Sequence, residues 1–398
     1  MSLLFLSACY APPLEGGSVV YLYNIISHMP PGDVVLFTNA RRNQVGFDAT
    51  QAYKIFRNRR LWDDFGKRAQ VGLLAEWFFS VARILSMRAD IELLHAGEVY
   101  PSGLVAWGLS RLFHKPYVVY LYAEELTQQN RRTDLLWGKL KNLFYKTALR
   151  RAAAVVVVSD YTGELVLAYG VPPSRIHKVL PTLAISKRGA CGTEPEVRRR
   201  LGLQHDHRII LSVGRLIERK GHDLLIRAWP AIMSAVPETR LIIVGKGPYL
   251  SNLQALVQET GVENEVTFAG AVDEEDLQSL YNLCEIFVMP HRELENGDTE
   301  GCPTVFLEAG AHGKPVIGGL AGGVRDAILD GETGLLVDGK NPDAIATAVI
   351  RLLRDPLLAK RLGEAGKRRS EAELLPAFAA ERVMALSKTI IERADRVT

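Results

Sequence analysis

Short runs that are apolar on both faces recur along this chain, each followed by a stretch with helical spacing. Residues 117–121 (YVVYL) and 155–159 (VVVVS) are two of them, and neither offers water a polar face. A strand buried on both sides belongs to a parallel sheet covered by helices, since an antiparallel sheet with one wet face alternates polar and apolar instead. Further strands are predicted at 2–7, 34–38 and 91–95, with helices at 103–112, 137–153 and 163–168. A second series follows. Strands at 209–213, 241–244, 266–268, 286–289, 315–317 and 334–337 are separated by helices at 223–234, 250–260, 273–282, 304–312 and 342–353. Two complete βα series predict two doubly wound α/β domains, and a length of 398 residues suits two such cores. The join falls between Pro181 and Arg198, where Pro, Gly, Thr and charged residues interrupt the apolar pattern, so the domains are expected over 1–185 and 186–377.

Composition excludes several classes. Hydrophobic residues at 47% and charged residues at 23% describe a globular chain rather than a disordered or fibrous one. No apolar run approaches the ~18–20 residues that cross a bilayer, and the opening MSLLFLSACYAPP lacks the basic start of an export signal. Cys9, Cys191, Cys284 and Cys302 are far apart, which speaks against a disulfide framework or a structural zinc site, so a reducing cytoplasm is expected. His205 and His207, on a charged loop near the domain join, are read as solvent-exposed, and no metal is expected. Charge is unevenly distributed: residues 1–190 hold 23 Lys and Arg against 14 Asp and Glu, while the remainder holds 25 against 31. The first half is therefore expected to meet an anionic surface or ligand.

Ligands of doubly wound sheets bind beyond the C-terminal strand ends, so the chemistry is sought in post-strand loops. After the first strand, Gly16 and Gly17 open a helix; glycines there let backbone N–H groups approach a phosphate, although the G-x-G-x-x-G spacing of dinucleotide binders is absent. After the strand at 209–213, Arg215 and Lys220 stand five residues apart in SVGRLIERKG. One is a planar fork and the other a point charge, and both can converge on a diphosphate. The most specific segment is EGCPTVFLE, from Glu300 to Glu308. Pro303 sits near the start of a short helix and Gly313 beyond its end, so the helix offers N–H groups and a positive dipole end to an anion. Carboxylates eight residues apart can reach opposite ends of one elongated, hydroxyl-rich ligand.

Six segments in order, SVGRLxxxKG, IVGKGP, VTFAGAV, the E-x7-E run with GKPVI, GGVRD and GETGLLV, make the chain resemble the retaining glycosyltransferases of family 4. That resemblance, similar in kind to the phosphatidylinositol-mannoside mannosyltransferases, implies the GT-B fold: two Rossmann-like doubly wound domains facing across a cleft, with a final helix at about 378–398 packing back on the first. It implies transfer of a sugar from a GDP- or UDP-linked donor, with a nucleotide-sugar epimerase or a catalytically silent sugar-nucleotide-binding protein on the same GT-B fold as the alternatives. Arg215 and Lys220 would bind the diphosphate, Glu308 the ribose hydroxyls and Glu300 the transferred sugar. Backbone N–H groups of Gly301, Cys302 and Thr304, with Pro303 shaping the turn between them, and the N-terminal Gly16-Gly17 loop would assist, Gly245, Lys246 and Gly247 would border the donor, and the backbone at Val272 would meet the base. The diphosphate charge is then met without a metal, and no enzymic nucleophile is needed. Where the family usually carries a His-Gly-x-Glu-like loop, this chain reads YLYAEEL, with Tyr122 and Glu125 in the His and Glu places. His95, at the preceding strand end, is a further acceptor-side candidate.

Residues 131–151 hold seven basic residues and one acidic one, interleaved with Leu, Trp, Phe and Tyr at helical spacing. Such a basic amphipathic helix, helped by Arg57, Arg59, Arg60, Trp62 and Lys67, is expected to lie at an anionic membrane surface such as the inner face of the plasma membrane and to bring a lipid-linked or glycan acceptor within reach. No nucleic-acid module is present, and nucleic acid is not expected as a partner.

Overall fold

In the computed structural model, which describes residues 1–14, 16–61, 69–127, 136–183 and 194–396, the chain divides into two compact units. One comprises Met1–Ala184 with Pro376–Thr398, and the other spans Ile185–Leu375.

The first unit is a seven-stranded parallel sheet: β1 (Leu3–Ser7), β2 (Val34–Ala40), β3 (Lys54–Leu61), β4 (Leu93–Ala96), β5 (Tyr117–Leu121), β6 (Ala154–Val157) and β7 (Ile176–Lys178). Its strand order is β3-β2-β1-β4-β5-β6-β7, so the winding reverses between β1 and β4. The central strands are buried along their whole length, as their unbroken apolar runs require. Strand β3 was not anticipated. It lies at the sheet edge and reads KIFRNRRL, and cations on an edge strand oppose pairing with another chain. Arg57 of this strand is largely buried and forked onto Asp48 (Nη2 to Oδ1 2.7 Å), with a second bond to the Asn39 carbonyl at 3.0 Å. It is therefore a structural cation and leaves the membrane-facing set; Arg59, Arg60, Trp62 and Lys67 lie outside the described residues or side chains.

The helix Ala69–Met87, also unanticipated, lays Leu73, Trp77, Val81, Ile84 and Leu85 on the sheet. Trp77 is fully buried, and its Nε1 donates to Asn39 Oδ1 at 2.9 Å, which satisfies its one polar atom. The last helix, Pro376–Asp395, belongs to this unit and packs against the helix Gly17–Ser27.

The second unit is a six-stranded parallel sheet: β8 (Arg208–Val213), β9 (Thr239–Val244), β10 (Val266–Gly270), β11 (Ile286–Met289), β12 (Val316–Gly319) and β13 (Gly334–Val337). Its order, β10-β9-β8-β11-β12-β13, reverses between β8 and β11. Loops leaving those two strands run to opposite sides and open a crevice at their C-terminal ends. Helices His222–Ala235, Leu250–Thr260 and Pro342–Arg354 cover the sheet with Trp229, Ile232, Leu253, Ile345 and Val349. Both sheets thus follow the same Rossmann-type plan.

Candidate active site

The crevice of the second unit collects most of the sequence-predicted residues. From β8 the chain passes Gly214 and Arg215 into the short turn Glu218–Lys220, which ends at Gly221 in left-handed conformation and opens the helix His222–Ala235. From β11 it passes His291, Asp298 and Glu300 into the helix Thr304–Ala311, whose N-terminal boundary is Pro303. Adjacent post-strand loops are laced by backbone bonds: Gly214 N to the Val244 carbonyl (2.9 Å), Leu216 N to Lys246 (2.9 Å) and Gly245 N to Gly270 (2.7 Å). Gly245 has φ 139°, and a Cβ there would run into the Gly214 carbonyl oxygen. The close approach of the two loops therefore requires glycine.

Lys220 and Glu300 meet at 3.2 Å (Nζ to Oε1), and both are largely buried. Arg219, which nothing in the sequence singled out, is the second partner. Its Nε donates to Glu300 Oε1 at 2.7 Å and its Nη1 to Asp298 Oδ1 at 3.0 Å. Burial by itself would raise the Glu300 carboxyl, but Lys220, then His291, then the charge and hydrogen bond of Arg219 outweigh it and hold the group well below the usual carboxylate range. His291 Nε2 lies 3.4 Å from Lys220 Nζ. Burial pushes this imidazole down to about 3, and the Lys220 charge adds to the effect, so His291 is neutral. The backbone of Glu300 is braced from β12: Gly323 N donates to its carbonyl at 2.9 Å.

Glu308 lies one turn into its helix, where its Oε2 accepts from the Tyr281 hydroxyl at 2.8 Å. Burial raises its carboxyl despite hydrogen bonds from Tyr281 and Thr304. Tyr281 is fully buried and stacks on His312 with ring centroids 5.3 Å apart, so Glu308 is held by a side chain 27 residues away that no local pattern announces.

Arg215 is exposed, and its side chain makes no hydrogen bond or ion pair with a described residue. It does not join the Lys220–Glu300 cluster, the place taken by Arg219. Gly301, Cys302 and Thr304 are half-buried at the helix N-terminus, Pro303 is buried, Lys246 is exposed and Val272 half-buried. Among the described residues no group of three or more His, Cys, Asp or Glu side chains could hold a metal ion.

In the first unit, Gly16 and Gly17 are exposed at the start of the helix Gly17–Ser27, with Gly16 in left-handed conformation at φ 88°. His95 lies near the end of β4, as its place after an apolar run implied, and is fully buried, its ring stacked on Phe5 at 4.4 Å. Its Nδ1 lies 3.1 Å from the Tyr120 hydroxyl and its Nε2 3.1 Å from Ser387 Oγ on the returning helix. Burial pushes it down to about 3, so it is a neutral residue packed within the unit. Tyr122 is half-buried, with its ring edge-on to Tyr21 at 5.7 Å. Glu125 falls in the single turn Glu124–Thr127, and its side chain lies outside those described. One carboxyl at the β1–β4 reversal went unnoticed in the sequence: Glu98 accepts from Ala8 N (2.8 Å) and Ser7 Oγ (3.1 Å). Burial pushes it up to about 7 against these bonds. An acid directly after a strand that ends in an apolar run was its only signal.

Comparison with known proteins agrees with this fold. Residues 193–369 match the family described as "Glycosyl transferases group 1", and residues 15–182 match "Glycosyltransferase Family 4". The chain is 41% identical over 287 residues to a GDP-mannose-dependent alpha-(1-6)-phosphatidylinositol monomannoside mannosyltransferase of Mycolicibacterium smegmatis, covering 70% of this chain and 71% of the relative. It is 30% identical over 373 residues to a GDP-mannose-dependent monoacylated alpha-(1-6)-phosphatidylinositol monomannoside mannosyltransferase of Corynebacterium glutamicum, covering 91% of each. Among solved structures, Anabaena HepE in complex with UDP superposes with a TM-score of 0.77 at 18% identity, covering 98% of this chain and 100% of that one.

Proposed function

The chain belongs to glycosyltransferase family 4, with the GT-B fold, and from that premise we propose that it transfers a hexose with retention of configuration, without a metal, from a GDP- or UDP-linked sugar to a lipid-linked or glycan acceptor at a membrane surface. The observation that carries this reading is the Lys220–Glu300–Arg219 cluster in the second unit's crevice, beside the N-terminus of the helix Thr304–Ala311. Loss of a nucleoside diphosphate leaves two phosphates whose charge grows as the glycosidic bond breaks. A buried ammonium and a helix N-terminus are cationic partners fixed before the reaction begins, and they stabilise that charge with little reorganisation. Arg215, exposed at the entrance of the same loop, adds a guanidinium that has no competing partner among the described residues. Glu300 accepts from a hydroxyl of the transferred sugar and Glu308 from the ribose. With the leaving group so stabilised, the bond from the anomeric carbon to the diphosphate oxygen breaks with its electron pair staying on the diphosphate, the acceptor hydroxyl oxygen bonds to that carbon from the same face, and its proton passes to an oxygen of the departing phosphate, so no covalent enzyme intermediate is required.

The relatives' names single out GDP-mannose as the first donor to try. Purified protein with labelled GDP-mannose, UDP-glucose and bacterial membrane extract is expected to give a glycosylated lipid and free nucleoside diphosphate, unchanged by EDTA, with the anomeric coupling of the donor preserved. No transfer from any nucleotide sugar, or transfer abolished by EDTA, contradicts the corresponding part.

Membrane contact is supported by three helices of the first unit that pack on one another: Ala69–Met87, Leu104–Phe113 and Leu136–Arg151. They leave Phe79 (71%), Leu112 (59%), Leu143 (59%) and Phe144 (41%) exposed, with Arg111, Lys146, Arg150 and Arg151 also exposed on them. Apolar groups entering the acyl boundary beside cations facing anionic headgroups is the pattern of an interfacial helix. The basic stretch before residue 142 lies outside the described side chains. No helix among the described residues is long and apolar enough to cross a membrane. The double variant Leu143→Asp, Phe144→Asp is expected to lose cosedimentation with phosphatidylglycerol vesicles by about tenfold or more. Unchanged binding would remove this surface from the account.

A further inference from the structure

Glu300 is buried among cations, yet only one of its oxygens is engaged. Both Arg219 Nε (2.7 Å) and Lys220 Nζ (3.2 Å) meet Oε1, while Oε2 accepts no hydrogen bond from a described residue. The two cations are not equivalent. Lys220 is a point charge on a flexible stem, is also close to His291, and stands where the diphosphate is proposed to bind, so an arriving donor competes for it. Arg219 cannot swing away as easily. It is 7% exposed, its guanidinium is forked between Glu300 and Asp298, and its carbonyl accepts from Arg292 N at 3.0 Å. Asp298 lies two residues before Glu300 on the same loop, so a single guanidinium clasps both ends of that loop segment.

We propose that Arg219, anchored by Asp298, is the positioning residue of Glu300: it fixes Oε1 and keeps the carboxylate charged, so that Oε2 remains presented to a hydroxyl of the transferred sugar when Lys220 turns to the diphosphate. This rests on the sugar-binding reading of Glu300 given above. The groups that face Glu300 are Arg219 and Lys220 from the turn after β8, with His291 and Asp298 from its own loop. His291 is neutral, which leaves Arg219 as the one cation that stays once Lys220 is engaged. Losing it exposes a buried carboxylate to its desolvation penalty and favours its protonated form, whose O–H donates instead of accepting.

The test is the carboxyl titration of Glu300, followed by ¹³C NMR of glutamate-labelled protein and assigned with Glu300→Gln, in wild type, Arg219→Gln, Arg219→Lys and Asp298→Asn. Glu300 is expected to titrate well below the ordinary range in wild type and to move up by one unit or more in Arg219→Gln. Arg219→Lys is expected to restore part of the shift, and Asp298→Asn to fall between. With the donor of the transfer assay, kcat of Arg219→Gln is expected to fall about 10- to 100-fold with donor KM within about threefold, because a misplaced group costs the reacting geometry more than binding. An unmoved Glu300 titration in Arg219→Gln overturns the proposal. Should that variant fail to fold, the same readout in Arg219→Lys and Asp298→Asn decides it. The titration needs no turnover, so a protein that transfers no sugar but shows the shift refutes the functional reading alone.

Discussion

Lys220→Ala is expected to lower kcat by roughly 10² to 10³, the cost of removing one preorganised charge from a site where negative charge develops. Lys220 Nζ is largely buried and 3.2 Å from Glu300 Oε1, so water can replace it only poorly. Its loss acts mainly on the transition state, because the β-phosphate carries more charge after the glycosidic bond loosens than before. Donor KM should therefore rise by a smaller factor than kcat falls. Glu300 keeps Arg219, so the fold survives the change better than it would survive removal of both cations. A variant with wild-type kcat, measured with saturating donor, would show that the diphosphate lies elsewhere.

Gly245→Ala is the change with the largest expected effect on the folded state. The residue has φ 139°, where an L side chain is strained, and the new methyl would collide with the Gly214 carbonyl oxygen, a backbone atom held by its strand. Strain of about 1–3 kcal/mol and overpacking of about 1–3 kcal/mol combine to roughly 3 kcal/mol or more. For a unit of this size that lowers its melting temperature by roughly 6–12 °C. The bonds from Leu216 to Lys246 and from Gly245 to Gly270 would open with it, so donor affinity should fall as well. Gly261, also at positive φ but with nothing within 4 Å of a Cβ, separates the two causes: Gly261→Ala carries the strain without the collision and should cost less.

Much of the architecture was legible in the chain because strands buried on both faces have no alternative reading; β5, β11 and β13 lie where their apolar runs end. What escaped was polar or uniformly apolar. Strand β3 is an edge strand loaded with cations, so its composition reads as a loop. The helix Ala69–Met87 exposes Phe79 and Met87 opposite its buried face, which weakens the contrast that marks an amphipathic helix. Within the site, the glycines and the E-x7-E carboxylates were readable from spacing. Arg219 was not: beside Lys220 it looks like one more surface cation, and only the return of the β11 loop, 79 and 81 residues later, supplies Asp298 and Glu300. His95 lies at its strand end as read, but its burial was not legible for the same reason in reverse. The helix that buries it arrives 292 residues further on, and no local pattern could have shown that a strand-end histidine would be sealed off.

A crystal structure of the protein with GDP-mannose, or with GDP and the free sugar, tests the central claim most directly. Diphosphate oxygens are expected within about 3.2 Å of Lys220 Nζ and of backbone N–H groups at the start of the helix Thr304–Ala311, with a sugar hydroxyl on Glu300 Oε2. A nucleotide bound away from the loops after β8 and β11, with the Lys220–Glu300–Arg219 cluster undisturbed and unoccupied, would contradict it.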